Sequence, residues 1–116
     1  EVVPLRVYHY GNFASHIIGY LGEISDKELE RSEAGVYRGG DLVGKMGLER
    51  LKEKYLRGEK GREYMEVNAL GFEQQYLKGI EPLPGTDLQL TVNMELQRAA
   101  EEIMAEQDKA GSVVAI

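Results

Sequence analysis

Arg62-Glu-Tyr-Met-Glu-Val-Asn68 and Phe72-Glu-Gln-Gln-Tyr-Leu-Lys78 form two alternating runs joined by the short segment Ala69-Leu-Gly71. Alternating runs around such a turn read as a β-hairpin. After Pro82-Leu-Pro84-Gly85, Leu88, Leu90 and Val92 alternate with Gln89 and Thr91, which predicts a third strand with one buried face. On both sides of this β region the period is helical. Phe13, Ile17 and Leu21, with Ala14 and Ile18, predict a helix over 12–20 that Asn12 caps and Gly19 and Gly22 end. Ser25-Asp-Lys-Glu28 is a capping box, flanked by Ile24 and Leu29 as a hydrophobic staple. Five glycines between 35 and 47 predict a loop. Leu48, Leu51 and Tyr55 then predict a third helix, with Glu53 and Arg57 as an i,i+4 pair and Gly58 as a left-handed cap. A last helix follows Asn93, with Leu96, Ala99, Ala100, Ile103 and Met104 on one face. Ser112-Val-Val-Ala-Ile116 reads as one more strand. Segregated helices and strands indicate an α+β fold: short helices packed with a small antiparallel sheet, the hairpin plus a third strand.

The chain has 116 residues, a net charge of -6, no Cys and no Trp. Leu, Val, Ile and Phe make up 30 of the 116, above the roughly one fifth below which charged chains stay disordered. One domain with a modest core is expected. The acidic balance argues against a nucleic-acid partner. Without Cys there is neither a disulfide framework nor a thiolate metal site. No apolar run approaches the roughly 20 residues that span a bilayer. Residues 45–62 nonetheless hold seven Lys and Arg against three Glu, which reads as a solvated helix face, with attraction to an anionic surface as the lesser reading.

The sharpest chemical pattern is Gly39-Gly-Asp-Leu-Val-Gly44-Lys45, a phosphate-loop match that fails at its last position. Met46 stands where a hydroxyl would hold magnesium, Asp41 brings negative charge inside the loop, and no apolar strand leads in. A glycine loop feeding a helix is the favoured reading, and a nucleotide- or ligand-binding domain is the rival. His9 and His16 lack metal-ligand spacing, so no metal or cofactor is expected. The serines, Ser15, Ser25, Ser32 and Ser112, have no Lys at +3 and no G-x-S-x-G context, so no catalytic residue is expected.

Several segments in order resemble the noncatalytic amino-terminal module of class B penicillin-binding proteins. They are Arg6-Val-Tyr8-His-Tyr-Gly11, Ala14-Ser-His16-Ile-Ile-Gly19-Tyr-Leu-Gly22, Gly44-Lys-Met-Gly47-Leu48-Glu49 and Tyr55-Leu56-Arg-Gly58-Glu-Lys-Gly61. Asn68-Ala-Leu-Gly71, Pro84-Gly85-Thr-Asp-Leu88 and Leu90-Thr-Val-Asn93 through Ala100 continue the likeness over nearly the whole chain. The spacer after Gly22 and the 37–44 stretch favour the penicillin-binding protein 2 type. His9 and Asn68 depart from the family's usual Pro and Asp.

The resemblance implies a pedestal, or dimerisation, domain over 1–92, with 93–116 as a connecting helix and the first strand of a transpeptidase domain. It marks Gly11, His16, Gly19, Gly44, Gly47, Gly58, Gly61 and Gly71 as motif positions, and Arg6 and Glu49 as an ion pair. The parent it implies is a D,D-transpeptidase of peptidoglycan synthesis. That parent would be anchored outside the cytoplasmic membrane by a transmembrane helix and partnered by the glycan polymerase RodA and the scaffold MreC. A simple homodimer is a third reading. On this view Glu1 follows a membrane anchor, and 112–116 enters a catalytic domain.

Overall fold

In the computed structural model, which describes residues 3–71 and 73–116, the chain runs α1 (Ser15–Ile18), β1 (Leu21–Glu23), α2 (Asp26–Arg31), β2 (Leu42–Gly44), α3 (Gly47–Leu51), α4 (Glu53–Leu56), β3 (Arg62–Val67), β4 (Glu73–Ile80) and α5 (Met94–Gln107). Two separate two-stranded antiparallel sheets, β1–β2 and β3–β4, confirm the α+β class. The chain divides into two units. One comprises Glu1–Val7 with Lys52–Leu88, and the other Tyr8–Leu51 with Gln89–Ile116.

The first unit contains the expected hairpin. Its strands pair Arg62 with Ile80 and Tyr64 with Leu77, with register shifts between Arg62 and Tyr64 and between Glu66 and Val67. Asn68 organises the turn: its side chain accepts the Leu70 N–H at 3.0 Å and its carbonyl accepts the Gly71 N–H at 2.9 Å. The Asn68 side-chain oxygen thus serves as the acceptor that the turn needs. Phe72, read as the start of the second strand, lies outside the described residues. Glu59 and Leu83 exchange both backbone hydrogen bonds, at 2.8 and 3.0 Å, which ties the 81–86 turn to the chain entering β3.

In the second unit β1 and β2 pair Leu21 with Gly44 and Glu23 with Leu42. β2 arises inside the segment expected to be a loop. Three-residue strands that each contain a glycine show no alternation to read, yet the ladder supplies their backbone partners. The capping box is present in full: Ser25 N–H donates to Glu28 Oε2 at 2.8 Å and Glu28 N–H to Ser25 Oγ at 3.4 Å. Ile24 beside it is buried.

Four expectations are corrected. α1 starts at Ser15 with Ala14 as its cap, because the turns Tyr8 to Gly11 and Tyr10 to Phe13 occupy the preceding backbone and Asn12 with it. The third helix is two helices, because the Tyr55 and Leu56 amides both bond the Lys52 carbonyl and begin a new turn there; Gly58, at φ 68, keeps its left-handed role. Residues 88–92 form no strand, since alternation provides a face but no ladder partner. Residues 112–116 likewise form none within the described chain.

Apolar burial is sparse. Among the described residues only Ala14, Ile24 and Val43 are buried hydrophobics. On α5 the half-buried positions are Met94, Gln97, Ala100, Glu101 and Met104, while Leu96 and Ile103 stay more than half exposed. Of the expected apolar stripe, Ala100 and Met104 share the half-buried face, while Leu96, Ala99 and Ile103 lie outside it.

Candidate interaction site

In the second unit, main chain packs on main chain where glycines remove the Cβ. Gly19 closes α1 at φ 86, and a Cβ there would overlap the Met46 carbonyl. Gly47 opens α3 at φ 59, where a Cβ would lie 2.5 Å from the Ile17 carbonyl and 2.9 Å from the Gly19 nitrogen. The end of α1 and the start of α3 thus meet without an intervening side chain. Gly44, buried at the end of β2, lies equally close to the Glu49 carbonyl.

Glu49, on α3, is 4% exposed, and the Tyr8 hydroxyl donates to its Oε1 at 2.7 Å. Burial of a carboxylate requires such a donor. Nearby, Lys45 Nζ reaches Glu28 Oε2 at 2.5 Å. Together with the Ser25 amide and hydroxyl, Lys45 holds the Glu28 carboxyl down at about 2, from an ordinary 4.5, with the lysine the largest cause.

In the first unit the Arg6 guanidinium donates to Glu53 Oε2 at 2.8 Å, with both side chains mostly buried. The sequence marks Glu53 only as the i,i+4 partner of Arg57, whereas the Arg6 that it binds lies 47 positions away. Gly58 approaches the Leu83 carbonyl, and Gly61 is buried with the Pro82 ring 2.6 Å from where its Cβ would sit. Gly85 lies against the Leu56 carbonyl, a role that only its place in a Pro-Gly turn could have signalled. Gly11 and Gly71 hold positive φ in open surroundings. His16 and His9 are exposed.

The phosphate-loop reading finds its parts already employed. Residues 42–44 belong to the β1–β2 ladder, the Arg38 amide bonds the Asp41 carboxylate at 2.7 Å, and Lys45 is held by Glu28. Among the described residues no group of three or more metal-capable side chains comes together. No described helix is long and apolar enough to cross a membrane.

The second unit instead displays apolar surface. Ile17 on α1, Tyr20 before β1, Leu42 on β2 and Met46 before α3 are all exposed, on elements joined by the ladder and the glycine crossing. Apolar side chains presented from a fixed backbone suit protein recognition better than small-molecule chemistry.

The family model for the penicillin-binding protein dimerisation domain matches residues 1–90. Peptidoglycan D,D-transpeptidase MrdA of Acinetobacter baumannii is 37% identical over the full 116 residues, which are 17% of that protein. The Escherichia coli K12 MrdA is 38% identical over 104 residues, 86% of this chain and 16% of that one. The chain therefore spans about one sixth of the relatives it matches. Among solved structures, penicillin-binding protein 2 in the Helicobacter pylori complex with MreC superposes with a TM-score of 0.70 at 34% identity, over 86% of this chain and 18% of that one. A chain of a peptidoglycan synthase complex, solved to show how polymerization and crosslinking are coordinated, gives a TM-score of 0.66 at 34% identity, over 84% and 16%.

Proposed function

The chain belongs to the penicillin-binding protein dimerisation-domain family, and from that membership we propose that it is a noncatalytic structural and interaction module of a MrdA-type peptidoglycan D,D-transpeptidase. It would act in cell-wall synthesis during elongation by holding the transpeptidase domain in place and by contacting membrane partners. The likeness to a penicillin-binding protein 2 solved together with MreC carries this reading. The exposed Ile17, Tyr20, Leu42 and Met46 support it physically, because apolar side chains held out in solvent gain from being covered by a partner. RodA is the proposed glycan-polymerising partner, in line with the synthase complex among the structural relatives.

Within the proposal, 1–92 is the pedestal and 93–116 leads into the transpeptidase, outside the cytoplasmic membrane and anchored to it by a transmembrane helix. The pairing of Arg6 with Glu49 is part of the same proposal, and a double-mutant cycle on the two residues tests it.

Biolayer interferometry against the soluble domain of MreC tests the main claim. Binding is expected, and Tyr20→Glu with Leu42→Glu is expected to weaken it at least about tenfold. Wild-type protein that fails to bind MreC at any attainable concentration defeats the MreC assignment. Sedimentation velocity over a concentration range separates this reading from a simple homodimer.

A further inference from the structure

Among the described residues only Ala14, at φ 57, and Asp108, at φ 46, hold positive φ without being glycine. A left-handed backbone is unfavourable for a residue with a Cβ and persists only where its surroundings enforce it. Asp108 is the C-cap of α5, an ordinary place for such a residue. Ala14 is different. It sits at the start of α1, is buried at 3% exposure, and has no side chain that can cap the helix.

Its backbone is held from both sides. The Ala14 carbonyl accepts the Ile17 and Ile18 amides at 2.9 Å each, which makes the single turn of α1. The Ala14 N–H donates at 2.6 Å to Glu101 Oε1 on α5, 87 positions away. That carboxylate is itself oriented, since Gln97 Nε2, one helical turn earlier, donates to the same oxygen at 2.8 Å. On the neighbouring residue the Arg98 guanidinium lies 5.1 Å from the centre of the Phe13 ring. Two side chains of α5, three positions apart, thus grip two consecutive residues at the entrance to α1. This explains why α5 turns Gln97 and Glu101 inward and leaves Leu96 and Ile103 in solvent.

We propose that Glu101 is a positioning residue that latches α5 to the entrance of α1, so that α1 is ordered only while α5 is docked. A four-residue helix does not persist on its own in water. Once released, Ala14 relaxes to the extended region and the turn that starts at its carbonyl opens. Gly19 closes that turn and packs on Met46 and Gly47, so the docking state of α5 is read at the α1–α3 crossing. By linkage, anything that binds and orders the α1 face draws α5 into its docked position. The Glu101 carboxyl is held below its ordinary value, first by Gln97 and then by the Ala14 amide, as expected of an ionised acceptor.

Backbone NMR on the full chain tests the latch, because Cα and Cβ shifts report φ and ψ residue by residue. In Glu101→Ala the Ala14 shifts are expected to move to extended values, and Ile17 and Ile18 to lose more than about half of their helical secondary shift. The resonances of β1 and β2, and of Ile24 and Lys45 that follow them, stay in place. Adding Ala14→Gly to Glu101→Ala restores the helical shifts at Ile17 and Ile18, because glycine adopts the left-handed region freely. Unchanged α1 shifts in Glu101→Ala overturn the proposal. So does a loss spread evenly over both units, or a double variant that glycine does not rescue.

Discussion

The Tyr8 hydroxyl donates to Glu49 Oε1 at 2.7 Å, and it does so to a carboxylate that is 4% exposed. A half-exposed tyrosine thereby carries a share of the desolvation cost of a charge inside α3. Removing the donor while keeping the ring isolates that share. Tyr8→Phe is expected to cost about 1.5–3 kcal/mol, the range for hydrogen bonds to charged groups. In a domain of this size that lowers the melting temperature by roughly 6 °C or more. A urea or thermal melt displaced by less than about 0.5 kcal/mol would show that Glu49 does not depend on the tyrosine.

Two glycines that both hold positive φ should respond differently to the same substitution. Gly11→Ala, at φ 60 in open space, is expected to cost about 1 kcal/mol for the left-handed backbone alone. Gly19→Ala, at φ 86 with the Met46 carbonyl in the way, is expected to cost at least about 3 kcal/mol, because main chain must move. Equal melting shifts for the two variants would contradict the close crossing of α1 and α3.

The Glu28 carboxyl titrates at about 2 in the folded chain against an ordinary 4.5. Its folded pKa is depressed, so its contribution to stability is present above pH 4.5 and is lost as the pH falls from there towards 2. A carboxyl-carbon NMR titration is expected to show this low midpoint. Lys45→Met should raise it part of the way to 4.5, since the lysine is the largest cause and the Ser25 amide and hydroxyl remain. A midpoint that stays put in the variant would mean that the capping box alone sets it.

Isothermal titration with ATP and GTP is expected to give no heat of binding at micromolar nucleotide. Residues 42–44 are engaged in the β1–β2 ladder and the Lys45 side chain is held by Glu28. Saturable heat would restore the nucleotide-binding reading of the 39–45 loop.

What could be read from the sequence follows the distance over which each signal acts. Ser25 and Glu28 sit three positions apart, so their mutual capping was visible directly; so were Asn93 at the start of α5 and Asn68 in the hairpin turn. β1 and β2 were invisible, because three residues around Gly22 or Gly44 carry no period. On α5 the period is clear and places Ala100 and Met104 correctly on the half-buried face, but not Leu96 and Ile103. Apolar spacing points Leu96 and Ile103 inward, whereas the unmet need was for an acceptor at the Ala14 amide, which Glu101 fills. At the site, the glycine positions could be named from family likeness. The partners Tyr8 with Glu49 and Arg6 with Glu53 lie 41 and 47 positions apart and needed coordinates.

Where Gly19 meets Met46 and Gly44 meets Glu49, the opposing surface is a carbonyl, which no substitution can make smaller. A mutation that adds a methyl group at either glycine therefore has no complementary shrinkage available across the contact. Second-site suppressors of such mutations would have to alter chain length or path in the adjoining loops. The exposed Ile17, Tyr20 and Leu42 carry no such restriction and remain free to change in step with whatever surface they meet.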